Sequence, residues 1–282
     1  MQLATSPNTR ALPQLRRSAL RYTLIRTLLR LGASFSAGVA VGYQYGFDSG
    51  LMLDYVYQNQ PAGVGWLGRW FDRIFLNQVG WQACRMRKVL VQDMLTAHVH
   101  ARHAQGLATH ILDAASGPGR YVLEVVAGTH AADVYLTCRD TDAAALWQGQ
   151  RLASELQLCT RVRFECGDAT SLADLAQITP LPDIVLVSGL YEILIDDAAV
   201  CRSLLGIRQI LAPGGTFLFT SQVAHPQLEL IANVLTNRRG EPWIMCTRPL
   251  SRLERWAREA GFSSVTSQVE PYGMFGVTQC TV

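Results

Sequence analysis

From about residue 107 onward, short apolar runs alternate with stretches whose apolar residues recur every three to four positions. The short runs read as buried strands and the longer periodic stretches as helices. This pattern predicts strands over 109–114, 133–138, 162–166, 183–188 and 216–220, followed by 265–269 and 274–279. Helices are predicted between them, over 121–126, 143–158, 172–177, 197–211, 226–236 and 250–260. Pro213-Gly214-Gly215 marks a turn before the fifth strand, and Gly261 a helix C-terminus. Strand–helix alternation of this kind predicts an α/β fold with a mainly parallel sheet. Five strand–helix units followed by two adjacent strands point to a seven-stranded, Rossmann-like sheet that ends in a hairpin. Residues 1–105 show helical periodicity without strand alternation, so they read as a basic arm and a helical cap. Residues 106–282 read as the sheet domain.

Composition narrows the class. The chain has 282 residues, of which 49% are hydrophobic and 17% charged. Such a chain can bury a large core without metal or disulfide support. No run of roughly 18 apolar residues occurs, so no integral membrane span is expected. The net charge is +3, unevenly spread: Arg10, Arg16, Arg17, Arg21, Arg26 and Arg30 all precede the first acid, Asp48. The rest of the chain is therefore slightly acidic, and no nucleic-acid partner is expected. Leu15, Leu20, Leu24, Leu28 and Leu31 recur at near-helical spacing, which predicts an amphipathic helix, packed into the cap in preference to the alternative of contact with a membrane surface or nucleic acid. Arg16-Arg17 is followed by an apolar stretch, but Arg26 and Arg30 interrupt it, so a secretory leader is not expected. Seven cysteines, an odd number without C-x-x-C spacing, fit free thiols in a reducing, cytoplasmic compartment. His98, His100 and His103 miss the i, i+4 spacing of a helical metal pair, and no metal site is expected.

The candidate chemistry lies at the predicted C-terminal ends of the strands. Asp113-Ala114-Ala115-Ser116-Gly117-Pro118-Gly119 closes the first strand and opens a helix. Gly117 and Gly119 allow a tight turn and close approach of a ligand, and the following amides suit a polar or anionic group. A dinucleotide fingerprint would need a third glycine where Val122 stands, which disfavours a pyrophosphate cofactor. Asp140 follows the second strand, where an acid can accept from both hydroxyls of a ribose. Asp168-Ala169 follows the third, where an acid can accept from a purine amine. One such acid alone is a common loop residue; three elements in series along one sheet edge are far more specific.

This series resembles the class I S-adenosylmethionine (SAM)-dependent methyltransferases over residues 107–282. A narrower resemblance, to a bacterial methyltransferase family, covers most of the chain. It rests on Gly46-Phe47-Asp48-Ser49-Gly50-Leu51, Ser188-Gly189-Leu190-Tyr191-Glu192 and His225-Pro226-Gln227-Leu228-Glu229. The resemblance implies that Asp113, Ala115, Ser116, Gly117 and Gly119 hold the amino-acid portion of SAM. It implies Asp140 for the ribose (Asp142 being the alternative), Asp168 and Ala169 for the adenine, and Ser188 on the same edge.

Residues 43–81 hold ten of the 24 aromatic residues, which fits either cap packing or a lid that excludes water from a sulfonium. Tyr45, Asp48, Asp54 and Tyr55 are candidates to reach cofactor or substrate. Tyr191 and His225 are the catalytic candidates, Tyr191 to orient an acceptor and His225 as a general base. Glu192 reads equally well as the partner of an arginine. The expected function is methyl transfer to a small molecule. One alternative is a cyclase or aminocarboxypropyl transferase that consumes SAM itself, and a second is a non-catalytic binding module.

Overall fold

The computed structural model describes residues 19–129 and 133–282. Arg10, Leu15, Arg16 and Arg17 of the basic arm lie outside the described residues. Five helices come first: α1 (Ala19–Gly32), α2 (Ala37–Tyr45), α3 (Gly50–Gln58), α4 (Gly65–Leu76) and α5 (Val79–His103). Strand and helix then alternate as β1 (Thr109–Asp113), α6 (Arg120–Gly128), β2 (Val134–Asp140), α7 (Ala143–Glu155), β3 (Val162–Cys166) and α8 (Leu172–Leu175). They continue as β4 (Ile184–Val187), α9 (Asp197–Ile210), β5 (Thr216–Gln222), α10 (Leu228–Val234), α11 (Leu250–Glu259), β6 (Ser264–Val269) and β7 (Phe275–Thr281).

The strands form one sheet in the order β3-β2-β1-β4-β5-β7-β6. β1 to β5 run parallel, and β7 enters antiparallel between β5 and β6. Strand order reverses between β1 and β4, and an open α/β sheet offers a ligand crevice at such a point. β4 reads Ile-Val-Leu-Val and is wholly buried, as a central parallel strand covered on both faces must be. One face packs on α5, α6 and α7 through Val91, Leu95, Val122, Val126 and Leu152. The other packs on α9 and α11 through Val200, Leu204, Ile207, Leu253 and Ala257.

The cap has its own core of Phe47, Met52, Val56, Leu76 and Trp81, closed by Ile231, Trp243, Met274 and Phe275 from the sheet domain. The 25-residue α5 serves both parts: its start packs in the cap core and Val91, Leu95 and Val99 pack on the sheet. The expected boundary at 105/106 therefore cuts behind a helix that is half sheet layer.

Two cap helices depart from expectation. Leu20, Leu24, Leu28 and Leu31 of α1 are exposed, at 58–89% of their full area, and the helix instead turns Tyr22 inward. The predicted leucine stripe does not pack into the cap. In α4 the buried line is Gly68, Asp72 and Leu76. Asp72 is tolerated there because its carboxylate accepts from the Ser36 hydroxyl, the Gly38 and Ala62 amides (3.1 and 3.0 Å) and the Tyr55 hydroxyl (2.6 Å). Among the described residues no single helix is long and apolar enough to cross a membrane. α1 and α2 together match such a span in composition but are bent by 107°.

Candidate cofactor and acceptor cavities

β1 ends at Asp113, and the chain turns through Ala115–Gly119 into α6. Gly117 (φ 53°) and Gly119 (φ 71°) both take the left-handed conformation that a side chain resists. Gly119 is the N-cap of α6 and supplies no side-chain cap, so the first amides of that helix point free toward the sheet edge. A cavity of about 580 Å³ opens there. It is lined by the turn from Ala114 to Tyr121, by Asp140, Gly167 to Thr170, and Ser188 to Leu190. The cap contributes Asp48, Gly50, Leu53, Asp54 and Tyr57, and a loop after α10 contributes Asn237, Arg238, Arg239 and Glu241.

The structure thus gathers Ala115, Ser116, Gly117, Gly119, Asp140, Asp168, Ala169, Ser188 and Asp48 around one cavity. Asp140 braces the turn: one carboxylate oxygen accepts from the Gly117 amide (2.7 Å), the other from the Asp142 amide (2.9 Å). Asp142 is the N-cap of α7, accepting from Ala144 and Ala145, and does not line the cavity. Of the two acids, Asp140 is the one placed for a ribose. Asp168 spends one oxygen on the Thr170 amide and hydroxyl (2.7 and 2.8 Å). Asp113 lies beneath the turn, fully buried and outside the cavity lining, and burial pushes its carboxyl up to about 7.

Gly50, first residue of α3, presses on the turn. A Cβ on Gly50 would stand 2.8 Å from the Gly117 Cα, and one on Gly117 would stand 3.0 Å from the Gly50 Cα. The surrounding motif serves this contact. Gly46 (φ 93°) lets the chain pass the Arg238 backbone, and the Asp48 carboxylate accepts from the Arg238 amide (2.7 Å). Ser49 caps α3 by accepting from Met52. Asp54 is buried under Arg120, with Nε 2.5 Å from its carboxylate, and also accepts from Gln58 and Gln148. It ties the cap to α6 and α7.

A second cavity, of about 380 Å³, adjoins the first through shared walls at Asp48, Leu53, Gly189 and Ile193. Its lining is largely apolar: Ile25 and Leu29 of α1, Phe71 and Phe75 of α4, Trp81, Leu230, Trp243, Met245 and Phe275. Trp81 and Trp243 stack at 6.0 Å. Arg87, Glu192, Gln222 and His225 supply polar groups. Arg87 and Glu192 form a buried ion pair (3.0 Å), extended to the hydroxyls of Thr220 (2.7 Å) and Tyr57 (2.9 Å). These groups come from distant segments, and in the sequence only Glu192 and His225 drew notice.

Besides Asp113, which lies beneath the turn and not in the cavity, three candidates are corrected. Tyr191 is buried on the far side of β4, where its hydroxyl donates to Ser203 (3.0 Å) and its ring meets Phe219. It lines neither cavity, because its turn directs Glu192 rather than Tyr191 to the sheet edge. Tyr45 is half-exposed, bonds Gln44 and lines neither cavity. Tyr55 is bound to Asp72 within the cap. His225 does line the apolar cavity. Its Nδ1 accepts from the Gln227 amide (3.0 Å), so the neutral ring carries its proton on Nε2, which faces Gly80. That tautomer offers a donor, which works against a general base, and burial lowers the ring's pKa.

A glycine turn after β1 and acids after β2 and β3, on a sheet with this strand order, define a class I SAM-dependent methyltransferase fold. The left-handed glycines, the free amides and the two acids fit SAM. The chain belongs to the family described as "Putative methyltransferase", whose sequence profile matches residues 4–281. It is 41% identical over 261 residues to the protein YnbC of Escherichia coli (strain K12), covering 92% of this chain and 44% of that one. The chain therefore spans under half the length of that relative. A solved structure described as a possible exported protein from Bordetella parapertussis is 17% identical, with a TM-score of 0.67 and 99% of each chain covered. The SAM-dependent methyltransferase SibL is 15% identical, with a TM-score of 0.54 over 94% of this chain and 76% of its own. Human N-acetylserotonin methyltransferase in complex with SAM is 13% identical, with a TM-score of 0.51 over 94% and 67%.

Proposed function

We propose that the chain transfers the methyl group of SAM to a small, largely apolar acceptor seated in the second cavity. The observation that carries this reading is the shared wall: a polar cavity suited to SAM opens beside an apolar one of acceptor size. When bound, SAM supplies an electrophilic methyl carbon. The chain's own residues do the rest by positioning. Ala115 to Gly119, Asp140 and Asp168 hold the cofactor, and Trp81, Trp243 and Phe275 hold the acceptor and exclude water. Of the four wall residues, Asp48 alone can titrate. Burial is the largest influence on it and raises its pKa, which suits a carboxylate that takes a proton from the acceptor. The seven unpaired cysteines fit a reducing compartment as part of this reading.

The alternative, SAM as its own substrate, would need no second cavity. Incubating the purified chain with SAM alone and identifying the small molecules by mass spectrometry separates the two. Methyl transfer to a second molecule predicts unchanged SAM. Methylthioadenosine with a four-carbon cyclic amino acid would replace the methyltransferase reading by the cyclase.

A further inference from the structure

α4 is inside out. It buries Gly68 and Asp72 and exposes Trp66, Leu67, Trp70, Phe71 and Ile74, at 72, 48, 50, 46 and 43% of their full areas. At 100° per residue these five side chains share one arc of about 140°. Arg69 and Arg73 border that arc and are exposed. The leucine stripe of α1 belongs to the same surface. The Val64 amide donates to the Phe35 carbonyl (2.8 Å), so exposed Val64 at the start of α4 lies beside exposed Phe35 just beyond α1. Leu28 of α1 and Phe71 and Ile74 of α4 also rim the apolar cavity. Arg21, Arg26 and Arg30 stand exposed on α1. Neither helix carries an exposed acid.

A contiguous apolar surface of this extent marks an interaction site. Its chemistry selects the occupant. Tryptophans at the edge of an apolar face, interleaved with arginines and no acids, complement an anionic lipid bilayer. We infer that the α1–α4 face docks on the surface of an anionic membrane, with the leucines and aromatics in the acyl boundary and the arginines at the headgroups. The inference stands on the two helices. Its corollary, that the bilayer delivers an apolar acceptor through the rim at Leu28, Phe71 and Ile74, rests on the acceptor reading above.

Flotation of the purified chain with vesicles tests it, using phosphatidylcholine alone or mixed with phosphatidylglycerol. The expected result is binding at least about tenfold stronger to the mixed vesicles, weakened by salt, with a blue shift of tryptophan emission. Trp66→Ser with Trp70→Ser, and separately Arg26→Gln with Arg69→Gln, should each lower it about tenfold. Both sets lie on the surface, so their SAM affinity by calorimetry should match the parent chain and report an intact fold. Flotation with neither vesicle, or equal binding to both, overturns the inference. So does a concentration-dependent dimer that Trp66→Ser with Trp70→Ser abolishes, which assigns the face to a second copy of the chain. Flotation is read without turnover, so it can fail while SAM-dependent methyl transfer holds, and the reverse.

Discussion

Two cavities share a wall but are built from opposite materials. The cofactor cavity is polar and made of short local motifs, each at the end of a strand: Ala115 to Gly119, Asp140, Asp168. The second cavity, where the acceptor is proposed to sit, is apolar and made of single side chains from α1 to α5, α10, β5, β7 and the loops between. The contrast teaches where specificity can change cheaply. A cradle of backbone turns tolerates few substitutions, while an apolar lining can be recut one side chain at a time with the cradle intact.

Substitutions can break this contrast. The largest effect is expected from Gly117→Arg, which should abolish SAM binding by calorimetry and cost the fold more than the about 1–2 kcal/mol of its left-handed backbone, because the new Cβ also meets the Gly50 Cα. Retained affinity would remove the turn from the cofactor cavity. Glu192→Gln leaves Arg87 as an unpaired buried charge and should cost about 3–5 kcal/mol in urea unfolding. Its SAM affinity should stay within about twofold, because the pair belongs to the other cavity; a large loss would merge the two sites.

Asp113 gives a pH signature. Its folded pKa of about 7 lies above the ordinary 3.8, so the folded state holds the proton more tightly than the unfolded one. That contribution to stability is full below about pH 4 and is lost as pH rises toward about 7, by at most roughly 1.4 kcal/mol per pH unit. Urea midpoints across that window should flatten in Asp113→Asn. Asp168→Ala should weaken SAM binding by about 1–3 kcal/mol, and equal affinities would refute the adenine role. Smallest of all, Met245→Ala should alter acceptor turnover by about tenfold or less and leave SAM affinity unchanged. A shift in both would mean the wall between the cavities is not a boundary.

The same contrast explains what the sequence discloses. Strands β1 to β7 and helices α6 to α11 were legible within a few residues, because a covered parallel sheet leaves plain apolar runs between periodic helices. The cofactor turn was legible because its residues are neighbours in the chain. Glu192 and Tyr191 are adjacent, and only the path of the turn after β4 decides which one faces the sheet edge. Arg87 and Trp243 gave no signal, since each joins the acceptor cavity through contacts far away in sequence. The apolar spacing in α1 was plain, but periodicity names an apolar face without saying what covers it. The burial of Asp72 depends on four donors from three other segments, so α4 reads inside out only when they are assembled.

The meeting of Gly50 with Gly117 puts backbone against backbone across the join of cap and sheet domain. No side chain lies between to absorb a displacement. If α3 can part from the turn, that parting and cofactor binding are coupled through this contact. By reciprocity, whatever factor SAM adds to the closed population of α3 is the factor by which prying α3 away lowers affinity for SAM. SAM should therefore slow amide hydrogen exchange along α3, whose Gly50, Leu53, Asp54 and Tyr57 line the cofactor cavity. A bulkier residue at position 50 would act as an inhibitor carried within the chain itself.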